Sequence, residues 1–329
     1  MPVPDSTTAL RAERRGERRV LGLLLAVAVL AVVGFCVLGL KGNWEYALGV
    51  RARKIAAMVV VGYAIAFSSV LFQTVTNNRI LTPSIMGFDS LFVLIQTLIV
   101  FLFGALVLTR LDGRLMFAVE VGAMVLFAGA LYRWLFGRRS RDLYVLVLVG
   151  IIFGTLFASL SSFISRLIDP NEFVVLQDTY FASFNAVDTE LLALSALLIV
   201  AVSGYGARLF RQLDVEALGR DYAVNLGVDH RAVVNRALIV IAVLVAVSTA
   251  LVGPITFLGL LVANLARQLT GSVRHRVLVP AAALISVIAL VGGQLVLEQL
   301  FGLDTTLSLV INFVGGAYFI ALLIRESRR

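Results

Sequence analysis

The stretch LGRDYAVNLGVDHRAVVNRALIVIAVLVAVSTALVGPITFLGLLVANLAR, Leu218 to Arg267, decides how the chain is read. It opens as a polar segment of mixed charge and helical character. It becomes an apolar run from Ala237 to Val252, breaks at Gly253-Pro254, and resumes as a short apolar run ending at Arg267. A wet helix, a buried helix and a broken helix in direct succession suggest a device joining something in the cytoplasm to a pathway inside a membrane.

Composition makes the membrane an expectation for the whole chain. Of 329 residues, 60% are hydrophobic and 15% charged, with a mean hydropathy of +0.97, whereas soluble domains carry about 25% charge. Apolar runs near 20 residues recur, matching a hydrocarbon core of about 30 Å. The net charge of +8 reads as the bias that keeps basic loops in the cytoplasm. It does not read as nucleic-acid binding, because no basic stretch is interleaved with stacking aromatics. Cys36 is the single cysteine, so no disulfide framework or cysteine metal site is possible within the chain. His230 and His275 both read as residues of polar loops.

The expected fold is all-α, a polytopic membrane bundle of about ten spans with cytoplasmic termini. Residues 1–19 form a cytoplasmic basic tail, and 20–329 form one transmembrane domain with a cytoplasmic segment at about 211–236. The spans run over about Val20–Leu40, Ile55–Val75, Ile85–Leu108, Leu115–Phe136, Leu143–Ile164, Glu190–Phe210, a seventh ending at Val252, Ile255–Ala266, Val277–Leu300 and Leu307–Ile324. A short interfacial helix is expected within 165–189. Alternation leaves 137–142 (GRRSRD), 211–236 and the end RESRR inside, as the charge rule wants. Arg51, Arg53 and Lys54 fall outside, against that rule.

Catalysis finds no support: there is no nucleophile–base set, no HExxH and no intramembrane histidine. The acids in or at the ends of spans are Asp89, Glu120, Glu190 and Glu298. Glu120 is either a proton site of an ion-coupled secondary transporter or a hydrogen-bonding group at a helix interface. Gly150 and Gly154, in GxxxG spacing, read as close helix packing. The segment 211–236 reads as a short helix stopped by Gly227, then a restart at Asp229, with enough Ala, Val and Leu to dock a cytoplasmic partner.

Four blocks resemble the FecCD-like permease subunits of type II ABC importers for iron chelates and vitamin B12. They are Arg51-Ala52-Arg53-Lys54 entering helix 2, and Phe72-Gln73 with Asn78 to Pro83 and Met86-Gly87 between helices 2 and 3. The others are Ala223 to Gly227, and Gly253-Pro254-Ile255 with Phe257, Gly259, Leu260 and Arg267. Arg53, Arg79, Ala263 and Asn264 depart from the family pattern of Pro, Pro, Pro and His. The resemblance implies a transport subunit in the plasma (cytoplasmic, inner) membrane that is not itself an enzyme and binds no cofactor. Its implied partners are a second permease copy or relative, two cytoplasmic ATP-binding subunits carrying ATP and Mg, and an extracytoplasmic substrate-binding lipoprotein. The implied cargo is a ferric siderophore, catecholate or petrobactin-like by the wording NNRILTPSIMGFDS. By motif position, Glu216, Ala223, Leu226 and Gly227 would couple to the ATPase, and Arg51, Arg53 and Lys54 would dock the binding protein; headgroup anchoring of helix 2 is the other reading of those three. Gln73, Asn78, Pro83, Gly87, Gly253, Pro254, Phe257, Gly259 and Asn264 would shape the pathway. The chain has no GxxxxGK[ST] phosphate loop.

Overall fold

The computed structural model describes residues 6–38, 44–106, 112–136, 143–185, 187–301 and 307–327. Every regular element among them is helical: α1 (Ser6–Val37), α2 (Trp44–Val75), a 3-10 turn (Pro83–Met86), α3 (Phe88–Phe103), α4 (Gly113–Phe136) and α5 (Leu143–Ser165) come first. Then follow α6 (Pro170–Thr179), α7 (Thr189–Arg208), α8 (Phe210–Glu216), α9 (Arg220–Asn225), α10 (His230–Val252), α11 (Leu258–Thr270) and α12 (His275–Val296). A π turn (Leu297–Phe301) and α13 (Leu307–Ser327) close the chain. The basic stretch 137–142 and residues 302–306 lie outside the described residues, as do 1–5, 39–43, 107–111, 186, 328 and 329.

Among the described residues seven helices are long and apolar enough to cross a membrane: α1, α2, α4, α5, α7, α10 and α12. The α3 helix and the 307–321 part of α13 are apolar but shorter. At 13 residues α11 is about 20 Å long at 1.5 Å per residue, too short to cross alone. The chain is thus a multi-pass helical bundle.

The helices divide into a core and a rim. The apolar stretches of α2, α10 and α12 are 67%, 72% and 61% buried, against 17% for α1 and 28% for α5 and α7. Leu23, Leu30, Leu126, Leu197 and Val200 on the rim helices are exposed, the arrangement expected when lipid rather than water surrounds the bundle. Core helices touch where side chains are small. A Cβ on Gly62 of α2 would lie 2.9 Å from Leu290 Cδ1 of α12, and one on Gly259 of α11 would lie 3.0 Å from Ser69 Cβ of α2, as close packing without a hydrophobic drive requires.

Three expectations change. Helix 1 extends back through the arginine tail to Ser6, so residues 6–19 continue the helix, whose candidate span begins at Arg15. Helix 2 begins at Trp44, eleven residues early, which puts Arg51, Arg53 and Lys54 inside a helix rather than in a loop leading to it. His230 and His275 are not loop residues; each is the first residue of a core helix, and His275 is fully buried.

Candidate functional site

Two helix breaks meet at the centre of the site. The 3-10 turn ends at Gly87, whose φ of +88° is left-handed and natural only to glycine. A Cβ there would sit 2.9 Å from the backbone of Gly154, and one on Gly150 would sit 2.9 Å from Met86 Cα. The GxxxG pair of α5 is thus a packing groove for the turn, as the sequence indicates. The second break follows α10 at Gly253, φ +96°, whose missing Cβ lets the backbone of Ala182 approach. Asp89, in the first turn of α3, accepts a hydrogen bond from the Thr256 hydroxyl at 2.9 Å, so the breaks are tied to each other.

Beside that bond lies a cavity of about 620 Å³, lined by residues that include Asp89, Ser161, Arg166, Tyr180, Pro254 and Asn312. Tyr180 links its hydroxyl to Thr97 and Ser165 at 3.1 and 3.2 Å. Polar walls inside an apolar bundle are costly unless they serve a polar visitor or water. Of the expected pathway residues, Gly87, Gly253 and Pro254 border this region. Gly259 and Phe257 instead pack helices: Phe257 fills the space at Gly315 and meets Phe319 at 6.2 Å between ring centroids. Pro83 starts the 3-10 turn. Sequence reading missed Thr256, Asn312 and the serines. The signal was present in Ser161, Ser162 and Ser165, a hydroxyl patch on one face of an otherwise apolar helix.

The other expected pathway residues gather at the opposite end of α2. Arg267 donates to Gln73 Oε1 at 2.9 Å, and Asn264 donates to the Arg79 carbonyl at 3.0 Å. The Asn78 side chain accepts from Ile80 N at 2.9 Å, a turn of the Asx type. These residues shape the cytoplasm-facing loop in the expected topology, not the large cavity.

At this same end α8 is locked into the bundle by two carboxylate–histidine pairs. Asp214 Oδ1 accepts from both the backbone N–H and Nδ1 of His275, at 2.8 and 2.6 Å. His275 Nε2 lies 2.9 Å from the Thr74 hydroxyl. Burial opposes the charge on Asp214, but the bonds from His275 outweigh it and hold the carboxyl below its ordinary value. Glu216 pairs with His230 Nδ1 at 2.5 Å. Two of the four expected coupling residues therefore face inward: Glu216 is 3% exposed and Ala223 is fully buried, because α8 and α9 pack against the starts of α10 and α12. Leu226 and Gly227 remain outside, joined by Leu218, Tyr222 and Val224, all exposed apolar side chains.

The docking expectation is also reordered. Arg51 donates to the carbonyls of Phe35, Cys36 and Leu38 at 2.6, 3.2 and 2.7 Å, capping α1, and its guanidinium lies over the Phe35 ring. Lys54 pairs with Glu298 at 3.4 Å. Both charges have partners within the chain. Arg53 is exposed where Arg51 and Lys54 are part-buried, and Arg53 and Lys54 both border a cavity of about 310 Å³ with Tyr46, Phe184 and Asn185. Glu120 is buried and accepts from Gln96 at 2.6 Å, which is the interface role weighed for it. Among the described residues no group of three or more His, Cys, Asp or Glu side chains is placed to hold a metal.

The chain is 51% identical over 308 residues to the petrobactin import system permease protein YclO of Bacillus subtilis, covering 94% of this chain and 98% of that one. It is 34% identical to the petrobactin import system permease protein FatC of Bacillus anthracis, covering 98% and 93%. A solved inward-facing chain of a metal-chelate type ABC transporter superposes with a TM-score of 0.79 at 23% identity, covering 94% and 99%, a likeness of fold. The model of the FecCD transport family matches residues 20–325, and the chain belongs to that family.

Proposed function

We propose that this chain is the permease subunit of an ATP-driven importer, lining one half of a path for a ferric siderophore of the petrobactin or other catecholate kind. The observation that carries the reading is the half-identity, over nearly full length, to a petrobactin permease. The geometry supports it: a polar cavity flanked by two helix breaks inside the bundle, and an exposed apolar surface on α9 at one end. In this reading ten helices cross the plasma (inner) membrane with both termini in the cytoplasm, and the short α3, α11 and α13 complete their crossings within protein. A second permease closes the path, two ATP-binding subunits seat against α9 and supply ATP and Mg, and a substrate-binding lipoprotein docks at the end bearing Arg53. The chain holds no cofactor of its own and catalyses no reaction.

The competing class, an ion-coupled transporter, needs Glu120 free to exchange protons, and Gln96 occupies it. Reconstituted with its ATPase and binding-protein partners, the chain is expected to take up radiolabelled ferric petrobactin only with ATP. Glu120→Gln should transport normally. Uptake by the chain alone under a pH gradient, lost in Glu120→Gln, overturns the proposal.

A further inference from the structure

A second, much smaller cavity of about 90 Å³ lies where α2, the 77–79 loop, α11 and the end of α8 meet, lined by residues that include Gln73, Asn77, Arg79, Ala217 and Arg267. Its donors lack an acceptor. Arg267 has five N–H donors, and its one hydrogen bond to a described residue goes to Gln73 Oε1. That bond fixes the orientation of the Gln73 amide, whose Nε2 is buried without a partner in a side chain only 2% exposed. Arg79 adds a second positive charge felt by Arg267, and its loop is pinned by Asn264. No carboxylate among the described residues pairs with either guanidinium. Of the acids on α8, Asp214 pairs with His275 and Glu216 Oε1 pairs with His230, while Glu216 Oε2 is buried without a partner among the described residues. Two like charges and a buried amide donor without a partner around one cavity call for an anion, since the buried donor is costly unpaired and the two guanidiniums repel.

We propose that Gln73, Arg79 and Arg267 form a seat for a small oxyanion, a phosphate group or a carboxylate. Size decides the class: 90 Å³ is about three water volumes at ~30 Å³ each, room for one tetrahedral or planar oxyanion and far too little for a metal chelate. Planar guanidinium forks match that geometry. The seat bridges the core helix α2 to Ala217, the residue that ends α8, so occupancy fastens the coupling element to the core. It does not depend on which cargo the chain carries.

The test uses the purified full chain in neutral detergent, with thermal unfolding read at constant ionic strength as chloride is exchanged for inorganic phosphate or for acetate. A ligand that binds only the folded state raises the unfolding temperature in a saturable way. Phosphate is expected to raise Tm by several degrees. Arg267→Gln should abolish the phosphate response. Arg79→Gln, at an exposed position, should weaken the response without endangering the fold, and Arg18→Gln on α1 should leave it intact. A matching rise in acetate identifies a carboxylate-bearing source, and a rise in phosphate alone identifies a phosphate group. No rise beyond chloride in the native chain, or an undiminished rise in both Arg267→Gln and Arg79→Gln, overturns the proposal.

Discussion

Removing His275 should loosen α8 from the bundle, and the structure sets the scale of the loss. The imidazole is fully buried, bonds Asp214 on one nitrogen and Thr74 on the other, and its ring lies 5.8 Å from that of Phe210. A hydrogen bond to a charged group contributes about 1.5–3 kcal/mol and a neutral one about 0.5–1.5. The Asp214 side chain is 32% exposed, so solvent screening takes its share to the lower end, about 1.5 kcal/mol. With the space left by the ring, His275→Ala should cost about 3–4 kcal/mol. Asp214→Asn keeps the shape and loses the charge, and should cost about 1–2 kcal/mol alone and almost nothing on top of His275→Ala. The double-mutant cycle, read by unfolding the purified chain with dodecyl sulfate, should therefore return a coupling of about 1–2 kcal/mol. A coupling below about 0.5 kcal/mol refutes the clamp, because independent sites add within that margin. The pH dependence has a definite sign. The folded pKa of Asp214 lies below its ordinary 3.8. The carboxylate's contribution is thus complete above 3.8 and is lost as pH falls through the depressed folded value.

Three further outcomes test other parts. Gly87→Ala combines left-handed strain with a Cβ 2.9 Å from the Gly154 backbone, about 3 kcal/mol together; Gly219→Ala, at φ +103° but in open space, should cost only the strain, about 1–2 kcal/mol, and equal losses of Tm would discard the packing argument. Arg53→Glu should weaken binding-protein association and flatten its salt dependence, whereas Lys54→Ala should lower Tm with little effect on association; the reverse pattern, read by titration at two salt concentrations, returns docking to Lys54. Tyr222→Asp together with Leu226→Asp places charge on the exposed face of α9 and should abolish stimulation of the partner ATPase while leaving stability within about 0.5 kcal/mol of native; undiminished stimulation moves the contact elsewhere.

The bundle was legible because a membrane imposes length and polarity on every span. Helix positions therefore came out within a few residues wherever apolar runs end at charge. Boundaries failed where polar residues continue a helix, as before Val20 and Ile55, since Arg, Glu and Ala are good helix formers whatever surrounds them. The site was harder. Glycine positions such as Gly87 and Gly253 were readable because their backbone need is local. Side-chain partners were not: Lys54 and Glu298 are 244 residues apart in sequence, and Asp214 and His275 are 61 apart. Polar residues of 214–230 read as solvent-facing because nothing local says that α8 folds back under the core. The cavity escaped because serine, threonine and asparagine carry no charge to flag them, and the wall is drawn from several helices at once.

The placement of rigid and breakable elements constrains how a push on α9 can reach the cavity. The α2 helix is unbroken over 32 residues, about 48 Å at 1.5 Å per residue. It is fastened at one end by Arg51 and Lys54 and at the other by Gln73 and Thr74. It contains no proline or π-bulge, the usual causes of a kink, and its core packing resists continuous bending. Four of the six left-handed glycines among the described residues flank the working parts: Gly219 and Gly227 beside α9, Gly87 and Gly253 beside the cavity. Displacement should therefore travel along α2 as a rigid body and be absorbed at the two breaks, the hinge pattern of a few residues taking large backbone changes. Spin labels at Arg53 and Thr76, spanning α2, should keep one distance in the assembled transporter with and without ATP. Labels at Ser90 and Ser162, across the cavity, should change theirs. A constant cavity distance with a changing α2 distance would place the hinge within α2 and refute this division of labour.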